Sequence, residues 1–384
     1  MDIIPMFPIL ENASIYNYAQ GGFNVTSLQQ VKAILQTHEA LRSPAIIQVG
    51  NIALGFMGEA VDMNNPSLEE KRKGARNVYL MLKKFQDDLS IPVALHADHA
   101  KDLETIRILI EEGFTSVMID GSHLSFEDNI EITREVVKYA HPFGVTVEGE
   151  LGVLAGQEDD VFSSDSTYTN PLKVVEFLKK TEADCLALSY GTKHGVKKGI
   201  NVKLRKEIVI AAMENMRHEK INAFLVSHGS STVPPYIVED NNRAGGRIEN
   251  AGGIPVEELK EIIKCGIDKI NIDTDMRLSI TRNIREYLYR NDSVLRNDPV
   301  CQKIWNNMSE KPEEIDFRVY LEPIKEFLID YNTIKDTGYI ADIITCMEKG
   351  VIEIVSSLIV HFGSIGYSNR IKKSTLSEMA DSYN

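Results

Sequence analysis

Eight short apolar runs alternate with segments of helical spacing, and histidines and acids gather where the runs end. Together these predict an α/β fold: a (β/α)8 TIM barrel with additional C-terminal helices. The candidate strands are, in order, GGFNV (21–25), AIIQV (45–49), PVALH (92–96), SVMID (116–120), VTVEGE (145–150), CLALSY (185–190), AFLVSH (223–228) and DKINI (268–272). Each is short, apolar and rich in β-formers, as a parallel strand covered on both faces should be. Between them, SLQQVKAILQTHEAL, DLETIRILIEEG, PLKVVEFLKKT and PVEELKEIIKCG carry helical periodicity and good helix formers, and two of these end in glycine, a common C-cap. A doubly wound open sheet would give a similar string. The polar residues at strand ends favour the barrel, whose chemistry gathers at the C-terminal mouth.

After the eighth strand the chain continues as DTDMRLSITRNIREYL, a polar stretch, then DFRVYLEPIKEFLIDY and further helical pattern. No linker-like composition intervenes, so one domain over 1–384 is expected, with the barrel at about 15–290 and a C-terminal helical extension at about 291–384. VIEIVSSLIVHF (351–362) is too short, and too interrupted by Glu353 and two serines, to span a bilayer, and reads as a packed helix.

With 43% hydrophobic and 26% charged residues, the composition is that of an ordinary globular protein. The net charge of -14 argues against a nucleic-acid binder, because a polyphosphate backbone attracts basic faces. An anionic substrate would need a local positive site. Cys185, Cys265, Cys301 and Cys346 form no CxxC pair, and the first residues lack a basic region before the apolar ones. The first suggests no disulfide framework, the second speaks against a secretory signal, and both fit a reducing, cytoplasmic setting.

Four strand ends offer ligands: His99, Glu150, His194 and His228. Imidazole and carboxylate suit zinc or a similar divalent ion at about 2.0–2.2 Å with one position open. A lone strand-end histidine is more often hydrogen-bonded structure than ligand, but three at separate strand ends converge on one mouth. His38, His123, His141, His218 and His361 lack this placement. His96 shares the strand of His99 and, by alternation, points elsewhere. GTKHGVKKG, HGSS and NIDTD place glycines and hydroxyl residues just before helices, where free backbone N–H groups bind anions, and Lys198 adds a point charge. Lys197 and Lys198 read equally well as a solvated loop.

LHADHA, GFTSVMIDGSHL, VEGELGVLAGQEDD, LALSYGTKHG, VSHGSSTVP, KINIDTDMRL and DFRVYL, in this order and spacing, resemble the class II, metal-dependent fructose-1,6-bisphosphate aldolases, and the tail HFGSIGYSNRIKKSTLSEMADSY resembles the end of the longer, class IIB-like members. The likeness covers nearly the whole chain. It implies cleavage of fructose 1,6-bisphosphate to dihydroxyacetone phosphate and glyceraldehyde 3-phosphate with zinc, a possible second divalent site and a monovalent cation (K+ or Na+). By the same resemblance His99, His194 and His228 match the metal ligands, and Glu150 and Asp120 match acids of an alternative inward position. Asp98 matches the acid that moves the proton at the C4 oxygen, and Glu158, in a mobile loop, the acid serving dihydroxyacetone phosphate. Gly195, Lys198, Gly229, Ser231, Asn271, Asp273 and Thr274 match positions around that substrate half and its phosphate, and Asp275 an adjoining acid near the hydroxyls. Arg318 matches an arginine that reaches the second phosphate from a neighbouring subunit, which implies a homodimer or homotetramer. Asn24 is kept in FNVTS. Gly50 replaces a family serine, Ala100 a glycine, and Lys193 stands beside a matched ligand. These departures leave open another ketose bisphosphate, such as tagatose 1,6-bisphosphate, or a weakened sugar-phosphate-binding paralogue.

Overall fold

All eight apolar runs form strands that pair, each with the next, into a closed parallel ring. They are β1 (Gln20–Asn24), β2 (Ala45–Val49), β3 (Pro92–Ala100), β4 (Ser116–Ile119), β5 (Thr146–Leu151), β6 (Cys185–Leu188), β7 (Phe224–Ser227) and β8 (Ile267–Ile272). β8 pairs back onto β1, with Asn271 opposite Gly22. This closure decides for the barrel, because an open sheet would leave two edges and reverse its strand order at a switch point. The computed structural model describes residues 2–158, 161–163, 167–198, 202–330 and 338–384, with the side chains of 157, 158, 161, 162 and 294 outside that description.

The helices begin where the sequence offers capping groups. Ser27, Ser67, Asp102, Ser125 and Asn170 each accept a backbone N–H of the first turn of the following helix. The lower barrel is closed by the helix Phe7–Tyr16. Ile4, Met6, Ile9 and Leu10 pack into an apolar layer with Ile46, Ala94, Cys185, Ala187, Phe224 and Val226. Along β3 the inward positions then change from Ala94 to His96 to Asp98, so the interior is greasy below and polar towards its C-terminal mouth.

The long helix Tyr339–Phe362 of the C-terminal extension packs on the barrel helices Leu28–Ala40 and Thr274–Arg290. Val351, Ile354, Val355, Leu358 and Phe362 are buried in that contact, which accounts for the apolar run at 351–362. Among the described residues no helix is long and apolar enough to cross a membrane. One expectation changes: the segment read as a loop contains an antiparallel ribbon, Gly156–Glu158 paired with Val161–Ser163.

Asp268, near the start of β8, is buried and accepts the Leu225 N–H at 3.1 Å; burial pushes its carboxyl from the usual 3.8 up to about 7. Over that interval the folded state holds a proton that the unfolded chain has released, so this group makes stability fall as pH rises from 3.8 to about 7. Asp268→Asn should therefore raise the melting temperature more at about pH 8 than at about pH 4. Melting curves in which variant and native protein run parallel over that range would contradict this.

Candidate metal centre and active-site cleft

Strict alternation would put His96 and Asp98 on the inner face of β3 and turn His99 outward. The strand departs from it at the critical place. Its register with β4 shifts between Ala97 and Ala100, and His99 takes φ 50°, a left-handed conformation costing on the order of 1–3 kcal/mol for a side-chain-bearing residue. The shift turns His99 into the mouth beside Asp98. His96 does not leave the site region as alternation relative to His99 suggested. It lies fully buried in the barrel beneath, with Nδ1 2.8 Å from Ser116 Oγ and Nε2 3.3 Å from Lys269 Nζ.

Each of two histidines is gripped by a carboxylate through one ring nitrogen, leaving the other turned inward. His99 Nδ1 lies 2.9 Å from Asp120 Oδ2, itself anchored by the Ser122 hydroxyl and backbone N–H. His228 Nε2 lies 2.9 Å from Glu148 Oε1. Among the described residues His99 Nε2, His228 Nδ1 and Glu150 Oε2 are buried without a hydrogen-bond partner. Ligand atoms of Asp98, His99 and His228 lie within 4.8 Å of one another, as do those of His99, Asp120 and Glu150. Buried lone pairs facing one another are costly unless something electropositive satisfies them, so the donor set fits a divalent cation. His194, on the loop after β6, stands edge-on to His99 with ring centroids 5.7 Å apart, and its backbone N–H is tied to the Ala155 carbonyl.

The local charges agree with that fit. Burial opposes protonation of His228, but the Glu150 charge and the Glu148 hydrogen bond raise it to about 9. Against burial, Asp98 and Asp120 hold His99 well above its ordinary value. Asp120 and Glu148 are held well below the carboxylate range despite burial, the first by His99, the second by the Lys269 charge and His228. The cage is thus negative enough to hold protons on its imidazoles, and a metal ion would displace them.

Asp98 is fixed by amides. Asn24 Nδ2 donates to its Oδ2 at 2.7 Å and Asn271 Nδ2 to its Oδ1 at 3.2 Å, while Gln48 Nε2 donates to Asn24 Oδ1 at 2.8 Å. Gly22 makes room for this relay, since a Cβ there would stand 2.1 Å from Gln48 Oε1. Gln48 went unnoticed in the sequence, although its inward position on β2 was available from alternation.

Beside the cage lies a cleft of about 550 Å³ whose walls include His194, Gly195, Asp273, Thr274, Arg277 and Arg318. Gly229 has φ 61°, and a Cβ on it would meet the Lys193 backbone at 2.6 Å, so only glycine fits this loop crossing. Lys198 Nζ donates to the Lys193 carbonyl, and Ser231 is buried on the same loop as Gly229. Thr274 opens the helix Thr274–Arg290, with Asp273 before it. Arg277, missed in the sequence although it lies four residues after Asp273, bridges Asp273 and Asp316, each at 2.9 Å. Arg318, matched to an arginine serving a neighbouring subunit, lines the cleft of its own chain and forks onto Asp316. Asp275 is taken up elsewhere: its oxygens accept from Thr232 N–H, Thr232 Oγ1 and Val233 N–H, which clamps the loop after β7. The side chain of Glu158 lies outside the described residues.

Fold and side chains define a (β/α)8-barrel protein built around a candidate divalent-metal centre at the C-terminal mouth. The family described as Fructose-bisphosphate aldolase class-II matches residues 5–335. The chain belongs to that family. A fructose-bisphosphate aldolase of Nostoc commune is 33% identical, with 100% of this chain and 96% of the relative covered. One from Thermus caldophilus is 37% identical over 83% of this chain and 92% of its own length. The solved fructose-bisphosphate aldolase of Campylobacter jejuni superposes with TM-score 0.67 at 21% identity, covering 95% of this chain and 96% of that one, a likeness of fold.

His99→Ala and His228→Ala should each abolish stoichiometric divalent-metal content while preserving the far-ultraviolet circular dichroism. One bound ion per chain in both variants, measured by plasma mass spectrometry, would remove these residues from the ligand set.

Proposed function

We propose that this chain catalyses the reversible aldol cleavage of fructose 1,6-bisphosphate to dihydroxyacetone phosphate and glyceraldehyde 3-phosphate. The observation that carries the reading is the clustering of buried ligand atoms at the mouth, those of Asp98, His99 and His228 within 4.8 Å of one another and those of His99, Asp120 and Glu150 likewise. His99, His194 and His228 would hold a zinc ion, with Glu150 and Asp120 offering an alternative set. Such a cation supplies Lewis-acid polarisation to the substrate carbonyl.

The chain's own groups do the rest. Asp98 accepts the proton of the C4 hydroxyl as the C3–C4 bond breaks, and Asn24 and Asn271 keep its oxygens aimed. The electron pair passes to the dihydroxyacetone phosphate half, which takes up a proton in the role that the resemblance gives to Glu158. The Gly195, Lys198, Gly229, Ser231, Asp273 and Thr274 segments bind that half and its phosphate, some through a monovalent cation, by backbone N–H groups and a fixed charge. Arg277 and Arg318 supply guanidinium groups to the cleft wall for the second phosphate. The reading also carries a cytoplasmic location and a homodimer or homotetramer.

Two observations bear on rival readings. Lys269, the residue on β8 an imine mechanism might use, is fully buried and its Nζ is engaged by Glu148 and His96, which disfavours a free nucleophilic amine. Gly50 precedes the helix Asn51–Met57 with φ -87° and ψ 171°, a backbone that serine adopts freely, so Gly50→Ser is a fair test of the weakened-paralogue reading.

Activity on fructose 1,6-bisphosphate should vanish with a strong chelator, return with Zn2+, exceed that on tagatose 1,6-bisphosphate, and leave no adduct after borohydride. Asp98→Asn should lower kcat by about 10²–10⁴-fold at unchanged metal content. Turnover that survives chelation, or is trapped by borohydride, would sink the metal mechanism.

A further inference from the structure

Beneath the candidate metal centre lies a charged layer to which neither the sequence motifs nor the proposed reaction gives a role. Glu148 and Lys269, on β5 and β8, are both fully buried, with Oε2 and Nζ 2.8 Å apart. The next layer down is apolar, with Ile46, Ala94, Ala187 and Val226. Burying an ion pair there carries a desolvation cost that a hydrophobic pair of similar volume would avoid. Stability alone does not account for it.

The geometry points to an orienting relay: Lys269 fixes Glu148, and Glu148 fixes the tautomer and ring angle of His228, so that His228 Nδ1 faces the metal position. This inference rests on the metal-dependent reading above. Glu148 uses its two oxygens separately, Oε2 on Lys269 Nζ and Oε1 on His228 Nε2 at 2.9 Å. Because a carboxylate only accepts, Nε2 carries a proton, so Nδ1, 3.3 Å from Glu150 Oε2, is the nitrogen left for a metal ion that displaces its proton.

Lys269 is fixed in turn. An ammonium only donates, so His96 Nε2, 3.3 Å away, accepts from it, and His96 Nδ1–H then donates to Ser116 Oγ at 2.8 Å. Each hydrogen bond along Ser116, His96, Lys269, Glu148 and His228 therefore has one donor. His99 has a different support, with its partner Asp120 held at the rim by Ser122. Glu148 and Lys269 act here as positioning residues.

The test is the double variant Glu148→Leu/Lys269→Met, which removes both charges at similar volume. Replacing a buried pair in this way is often neutral or stabilising, so the metal-free variant should melt at or above the native temperature. Its affinity for Zn2+, measured by chelator competition, should nonetheless fall about 10- to 100-fold, and the visible absorption of its Co2+ form should change. A purely structural pair would move the melting temperature and leave the Co2+ spectrum alone. Should the double variant fail to fold, Glu148→Gln, which keeps the acceptor but sets an amide against Lys269, should weaken Zn2+ binding about tenfold. Native Zn2+ affinity in whichever variant folds overturns the relay. A native chain that takes up no divalent ion overturns the metal-dependent reading and the relay together.

Discussion

Every functional side chain depends on the closed parallel hydrogen-bonded ring. Pairing of β8 with β1 sets Asn271 beside Gly22, and pairing of β1 with β2 sets Asn24 beside Gln48, which in turn lies beside His96 on β3. With these registers fixed, inward residues meet at one height, and each carboxylate oxygen of Asp98 finds an amide. A slip of one residue in any strand would turn its inward set outward. The ring is therefore both the scaffold and the positioning device.

Within it, polarity is graded. The bottom is filled by aliphatic side chains and the N-terminal helix, the middle by Glu148, Lys269, His96 and Gln48, and the mouth by carboxylates and imidazoles. Buried polar groups are tolerable only when satisfied, and in the middle layer Glu148, Lys269 and His96 satisfy one another while the Gln48 amide donates to Asn24. At the mouth the pairing stops short. His99 and His228 each have one nitrogen supported and one turned to the centre, an arrangement that suits a ligand site and would be a defect in an ordinary core.

The chain's negative net charge makes its local positive features informative. Arg277 and Arg318 stand on the cleft wall, yet both are already paired with Asp316, which their charges hold well below the carboxylate range against burial. Under the proposed function an arriving phosphate would compete with that carboxylate for guanidinium groups already held in place. On the far side of the helix start, Asp275 is spent on holding the loop after β7, the segment that carries Gly229 and Ser231.

The sequence by itself determined the eight strands, their order and the residues at their ends, because two-residue and 3.6-residue periodicities, caps and strand-end polarity are local properties. The strand-end placement of His99, His194, His228 and Glu150 was legible for that reason, and the packed helix at 351–362 likewise, whereas Asp98 was singled out only by the resemblance. Tertiary structure alone decided which of these groups meet and how they face. The turn of His99 into the mouth arises from a register shift against β4, which alternation cannot foresee. Glu148, Lys269 and Gln48 gain meaning only from partners on other strands, and Asp275 was drawn away by backbone N–H groups over 40 residues earlier in the chain. These contacts join residues far apart in the chain, whose separation no short sequence pattern records, and ring closure brings them within hydrogen-bond reach.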